Sequence, residues 1–267
     1  EMPIFLVDSL EYIARTTIVQ ESENTNDLIL EVIESLTINS EKSNYIRDGF
    51  KGIIPEGTTV KEITLENGIL TINFSKEILN ISENNEEKMI EAIVYSLMEI
   101  PEIKKISILV DGEKLRALPN SKKKLPEFLD KSYGVNKIYN LDSIKDTNKT
   151  TVYYLSKYDD YYYYVPVTKI SNETGEKAGI IIKELKSTPI YHTNLISYLA
   201  ASTNLTNYEL LENSISLSFD NHLLANLNDE DMLEEVKYSI ALSLRDSYGI
   251  EKVLFNFPEN EQEVMAF

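Results

Sequence analysis

The sequence predicts an α+β protein built from two tandem copies of one module, each a small mixed sheet with helices packed on one face. Three observations carry that prediction. Asn67 to Asp111 reads as a strand, an amphipathic helix and a second strand, and Asn213 to Phe257 reads the same way. The opening strands align after one deletion, so that Leu70, Ile72, Phe74, Ile78 and Leu79 meet Ile215, Leu217, Phe219, Leu223 and Leu224 at a constant shift of 145, which is 215 minus 70. Both helices carry an apolar stripe, and the closing strands, Ile103 to Val110 and Ile250 to Phe257, correspond at a shift of 147, which is 250 minus 103. Apolar spacing that passes from period 2 to 3.6 and back at matching places in both halves marks a duplication.

Taken in order, residues 3–19 read as two short strands about a polar turn, rich in β-branched and aromatic residues. A helix follows from about Asn26, with Thr25 as its N-cap, because Leu28, Ile29, Val32, Ile33 and Leu36 form one stripe. Residues 39–57 are polar and broken by Gly49, Gly52 and Pro55, which predicts irregular chain. Thr59 to Leu65 and Ile69 to Phe74 flank Asn67-Gly68, the dipeptide that a type I′ turn requires because both central residues need positive φ. The next helix is expected at about Glu86 to Ile100, opened by a capping box of Asn84 and Glu87 and stopped by Pro101.

Regular patterning lapses after Asp111-Gly112. Residues 1–118 are therefore expected to form the first domain, 119–148 a partly ordered linker and 149–267 the second domain. The linker holds Lys122, Lys123 and Lys124, which read as a solvated segment rather than a docking patch. Beyond it, Tyr164, Val165, Thr168 and Ile170 lie against Tyr12, Ile13, Thr16 and Ile18 at a shift of 152, which is 164 minus 12, so the opening hairpin is duplicated too. Helices are expected at about Thr174 to Leu185 and at Asn194 to Ala201, ahead of the repeated strand, helix and strand. Each half reads β-β-α-β-β-α-β.

Forty-four acidic residues against 26 basic ones give a net charge of −18, which repels phosphate backbones and anionic lipid surfaces. Nucleic acid is accordingly excluded as a partner. Zero cysteines leave no disulfide, thiol nucleophile or thiolate metal site. No apolar run is long enough to span a bilayer, and an opening at Glu1-Met2 without a signal sequence fits either a cytosolic protein or one lacking its export segment.

Catalytic patterns are missing. The two histidines, His192 and His222, sit in no metal or triad spacing, and His222 takes the place of Glu77 as an ordinary surface residue. Asp229-Glu230-Asp231 lacks the alternation and central glycine of a calcium loop, and Asn228 as N-cap with acids at a helix start explains it better. No cofactor or metal is expected. The tyrosine run is the candidate binding site: Tyr161 and Tyr163 alternate with Tyr162 and Tyr164, so one pair should leave the core, and Tyr154 and Tyr158 join the same aromatic hairpin. Such tyrosines suit a protein contact or a sugar ring, or else cross-strand packing that stiffens an edge hairpin.

With these units laid out, the sequence resembles the GerMN family, a duplicated module of sporulation and germination lipoproteins. The carriers are VYYLS and YYVPVTK, then IIPEGTTVKEITLENGILTINFSKEIL, and IEAIVYSLMEIPEIKKISILVDGE ending in Asp111-Gly112. The second copy departs from the pattern, with Asp220, Leu242 and Phe257-Pro258 where the first has Ser75, Tyr95 and Asp111-Gly112. The resemblance implies a fold like ring-building modules, no catalytic residues, and an extracytoplasmic protein held to the membrane by a lipid on an N-terminal cysteine outside this sequence. It further implies a non-enzymatic scaffold that acts in sporulation or germination through envelope or sporulation-complex proteins in a Gram-positive bacterium. The competing expectation is a wall protein that binds or modifies peptidoglycan through the tyrosine hairpin.

Overall fold

The computed structural model of the chain describes residues 1–143, 145–187, 194–224, 230–258 and 262–267. The chain divides into two units, Glu1–Val135 and Asn136–Phe267. In the first, β1 (Met2–Asp8) and β2 (Ile13–Ile18) pair antiparallel, and β3 (Phe50–Lys51) joins the other side of β1. Helix α1 (Thr25–Leu36) follows. Its N-cap is Asn24 rather than Thr25, because the Asn24 side-chain oxygen reaches the free amides of Asn26 and Asp27 at 2.9 and 3.2 Å.

A second sheet runs in the order β4 (Val60–Glu66), β5 (Ile69–Phe74), β6 (Lys105–Val110) and β7 (Glu113–Lys114). Asn67 and Gly68 adopt φ of 51° and 77°, the positive values expected of the β4–β5 turn. Strands β5 and β6 are parallel, so a crossover must join them, and α2 (Glu83–Leu97) supplies it. It begins earlier than the sequence suggests. Ser82 takes the N-cap position, Asn84 and Glu87 lie within the helix, and Glu87 binds Lys123 at 2.7 Å instead of closing a capping box. Leu70, Ile72 and Phe74 of β5 and Ile90, Ile93 and Val94 of α2 are fully buried, each contributing about 1.5–3 kcal/mol of transfer free energy.

The second unit repeats the order. Strands β9 (Asn148–Tyr158) and β10 (Tyr161–Ser171) form the opening hairpin, with β8 (Ile138–Asn140) parallel to β10. After α3 (Lys177–Leu185) come β11 (Leu205–Leu210), β12 (Ser214–Phe219), α4 (Glu230–Tyr248), β13 (Lys252–Asn256) and β14 (Glu263–Ala266), the four strands making one sheet in that order with β12 and β13 parallel. The fold class is the α+β repeat read from the sequence, with the strands of each unit divided between two sheets where one was expected. Residues 194–201 are not helical: Leu155 and Ile196 exchange backbone hydrogen bonds at 2.9 and 2.8 Å, so the free edge of β9 claims this segment. Strand β14 had no counterpart in the sequence reading. The half-exposed Glu263 binds the buried Lys237 of α4, and Arg245 sits 5.2 Å over the Phe267 ring.

One device recurs in both units. The Phe5 amide of β1 donates to Ser96 Oγ of α2 at 2.8 Å, and the Tyr153 amide of β9 donates to Ser243 Oγ of α4 at 2.9 Å. Ser96 and Ser243 are related by the same shift of 147, 243 minus 96. Phe5 faces Arg15 across its hairpin and Tyr153 faces Pro166, so the hairpins correspond at 151, 166 minus 15, and not at 152. A slip of one residue exchanges the two faces of a strand. Likeness of residue type pointed to the wrong register because it carries no information about which face meets the helix.

The expected linker, 119–148, is split between the units, and its first part is anchored. Glu86 of α2 is buried and accepts the amides of Asn120 and Ser121 at 2.7 and 2.9 Å, while Lys131 binds Glu99 at 2.7 Å. Burial pushes the Glu86 carboxyl up, but the hydrogen bonds from Ser121 and Asn120 outweigh it and hold the group below its ordinary 4.5. A lowered folded-state pKa gives stability that is present above 4.5 and lost as pH falls through the folded value. In urea unfolding, the native chain should lose stability on acidification below 4.5, and Glu86→Gln should be weaker at neutral pH with a shallower acid loss. Ser96→Ala, which strands the Phe5 amide, should cost about 1–3 kcal/mol by the same measurement.

Candidate functional site

The tyrosine hairpin is built by the two long strands β9 and β10, whose register sets Tyr161 opposite Tyr158, Tyr163 opposite Ser156 and Val165 opposite Tyr154. Cross-strand partners share a face, so Tyr154, Tyr158, Tyr161 and Tyr163 lie on one side. The rings of Tyr158, Tyr161 and Tyr163 follow one another at centroid separations of 5.9 and 6.1 Å. On the other side, Tyr162 meets Tyr198 edge-on at 6.1 Å, and Tyr164 lies 5.2 Å from Tyr238 of α4 and donates its hydroxyl to Glu235.

The expected site residues therefore part company. Tyr154 and Tyr163 are buried, and Ser156 Oγ donates to the Tyr163 hydroxyl at 3.0 Å. Burial, with the Glu184 carboxylate nearby, pushes the Tyr154 phenol far up, so it stays neutral. Tyr158, Tyr161 and Tyr162 are half-buried at the hairpin tip, where the Lys157 ammonium lies 5.4 Å from the Tyr162 ring. One face meets helix α4 through Tyr164, and on the other Tyr154 and Tyr163 are buried. Only the tip tyrosines remain available to a ligand.

Two open clefts lie among the described residues. One, of about 440 Å³, lies between α3 and β11 and is lined by Glu173, Glu176, Gly179, Lys183, Thr206 and Tyr208. Lys183 and Lys169 hold the Glu173 carboxyl below its ordinary value, and the Glu176 carboxylate pushes the Tyr208 phenol up. These acids are tied in ion pairs and hydrogen bonds, which is structural duty. The other, of about 400 Å³ in the first unit, has a mixed lining in which Val7, Ile46, Phe50 and Ile81 stand beside Glu11, Asn39 and Lys51. Among the described residues no group of three or more His, Cys, Asp or Glu is placed to hold a metal, and no helix is long and apolar enough to cross a membrane. His192 and the side chains of Asp229, Glu230 and Asp231 lie outside the described residues, whereas the His222 ring stacks 6.3 Å from Phe257.

The motif residues are structural. Asp111 and Gly112 take φ of 49° and 83°, the Gly112 amide donates to Asn73 Oδ1 at 2.9 Å, and Lys61 pairs with Asp111 at 2.5 Å, so this dipeptide closes the β6–β7 turn. Tyr95 packs edge-on against Phe5 at 5.4 Å and donates its hydroxyl to the Lys131 carbonyl at 3.2 Å. Ser75 Oγ accepts the Thr59 amide at 3.0 Å, and in the second unit Asp220 Oδ1 accepts the Asn204 amide at 2.7 Å. Asp220 thus does the work of Ser75.

Comparison with known proteins agrees with this architecture. Residues 3–116 match the model of the family Germane, described as sporulation and spore germination. Along its length the chain superposes on the tandem GerMN domains of the sporulation protein GerM from Bacillus subtilis with a TM-score of 0.84 and 22% identity, covering 97% of this chain and 91% of that one. Residues 3–116 carry the family's pattern, and the chain as a whole shares the fold of tandem GerMN domains. The Bacillus subtilis (strain 168) spore germination protein GerM is 25% identical over 256 residues, 94% of this chain and 69% of that protein. The family match lies in the first unit, while the second is likened to a GerMN domain by fold alone. Sequence reasoning found the modules. It missed that the tyrosines divide between core and tip, because strand alternation shows two faces without showing that both are covered. Tyr161→Ala, at the half-buried tip, should leave the thermal midpoint nearly unchanged, whereas Tyr163→Ala should lower stability by about 3–5 kcal/mol in urea melts.

Proposed function

We propose that this protein, with the fold of tandem GerMN domains, is a non-enzymatic, extracytoplasmic scaffold of spore formation or germination, tethered by a lipid on a cysteine outside this sequence and working through contacts with envelope proteins. The observation that carries the reading is the match of residues 3–116 to a family described by sporulation and spore germination, together with the likeness to GerM along 94% of the chain. The internal chemistry supports it. Ser75, Tyr95, Ser96 and Asp111, which sit in the motif segments, are spent on hydrogen bonds and packing that hold each unit together. What is left to act is surface: tip tyrosines, the strand edges of β4 and β11, and charged sheet faces.

A wall-binding protein is the second reading, favoured by the half-buried Tyr158, Tyr161 and Tyr162 beside Lys157. One pair of experiments separates the two. Photo-crosslinking of the full-length protein in sporulating cells should recover envelope or sporulation-complex proteins, while purified peptidoglycan should be neither cleaved nor able to retain the chain. Saturable retention that disappears in Tyr161→Ala or Tyr162→Ala, with no crosslinked partner, would replace the scaffold by a glycan binder.

A further inference from the structure

The charge of the chain is unevenly laid out. Residues 101–135 hold eight lysines and arginines against five acids, although the whole chain has a net charge of −18. Part of this excess gathers on one surface, the side of the β4–β7 sheet that faces away from α2. The parallel register places Ile69 beside Lys105, Thr71 beside Ser107 and Asn73 beside Leu109, and Lys114 lies opposite Leu109 on β7. Phe128 is the centre of the cluster: the Lys114 and Lys105 ammonium groups lie 4.7 and 5.8 Å from its ring. Arg116 is exposed two residues beyond Lys114.

The cations are incompletely neutralised. Lys114 has a carboxylate, that of Glu127, no nearer than 4.0 Å, and neither Lys105 nor Arg116 lies within ion-pair distance of an acid among the described residues. Elsewhere in the same segment Lys123 and Lys131 are bound to Glu87 and Glu99 at 2.7 Å. The β4 end of the face is acidic, with Glu62 opposite Asn73 and Glu66 opposite Ile69. Among the described residues at the matching place in the second unit, Lys252 stands where Lys105 does, and its neighbour β14 brings Val264 and Ala266.

We infer that this face of the first unit is a docking surface for an acidic segment of a protein partner, seated over β6 and β7 with its carboxylates on Lys105, Lys114 and Arg116 and apolar side chains on Phe128 and Leu109. Charge complementarity selects the acidic occupant, and Glu62 and Glu66 repel it from the β4 end and fix its placement. A half-buried apolar centre ringed by charge is the anatomy of a protein interface, whereas a phosphate polymer needs the cations alone. The inference rests on the scaffold reading, and it names which surface and which partner chemistry that reading uses.

The test uses the whole chain and a fluorescent peptide of alternating Glu and Leu, followed by anisotropy at low and at physiological salt. Saturable binding is expected, weakened by salt, weakened about tenfold by Lys105→Glu with Arg116→Glu, weakened by Phe128→Ala, and unchanged by Lys252→Glu in the second unit. Circular dichroism should show every variant folded, since Lys105, Arg116 and Lys252 are exposed. Absence of saturable binding, or equal loss in Lys252→Glu, overturns the inference. So does polyphosphate that binds more tightly than the peptide and is indifferent to Phe128→Ala, which would make the face a polyanion site. Failure here leaves any crosslinked partner of the scaffold standing, and failure of the crosslinking leaves this peptide result standing.

Discussion

Each unit depends on one hydrogen bond between a helix hydroxyl and the backbone of its opening strand. Ser96 and Ser243 take the amides of Phe5 and Tyr153 on the side of the strand that the hairpin partner does not use. A buried amide without a partner would cost as much as several well-packed methyl groups contribute, so the serine decides where the helix can lie against the strand. Once it is placed, the crossover helix delivers β6 or β13 beside β5 or β12 and the second sheet follows. In the second unit the arrangement is reinforced, since Ser239 also donates to the Tyr153 carbonyl and the Tyr153 hydroxyl donates to Asp246 at 2.5 Å.

Around that constant the two copies have drifted by exchanging one device for another. The end of the β4–β5 hairpin is closed by a serine hydroxyl and the end of the β11–β12 hairpin by an aspartate, both accepting the amide sixteen residues earlier. Both edge strands also break register near their first residues, between Val60 and Glu62 and between Leu205 and Asn207, which blunts an exposed edge against indiscriminate pairing. Where the first unit buries Glu86 to fix the loop at Asn120 and Ser121, the helix of the second has Leu233, and a longer strand, β14, is held instead by Lys237. Such substitutions keep the fold and alter the surface, so the two sheets present different faces.

That division is what the proposed scaffold would require. The residues that carry the likeness to GerMN domains are consumed internally, and a chain with this many acids gains specificity from the few places where the sign reverses. A basic, partly apolar sheet face in one copy and a tyrosine-tipped hairpin in the other are two unlike surfaces on one duplicated framework.

Periodicity in the sequence was enough to determine the duplication, the α+β order of elements and the turn at Asn67-Gly68, because each is set by side-chain spacing or by local φ demands within a few residues. The tertiary structure alone decided which face each strand gives to its helix, hence the hairpin register at Phe5 and Tyr153, the bridge of Ile196 to Leu155 of β9, and the strand at Glu263–Ala266. It also decided that Tyr154 and Tyr163 belong to the core and that Asn120, Ser121 and Lys123 are bound to α2. These outcomes turn on partners tens of residues away, such as Ser243, Leu155 and Glu86, and a pattern read along the chain holds no record of which distant group will satisfy a buried amide or cover an open edge.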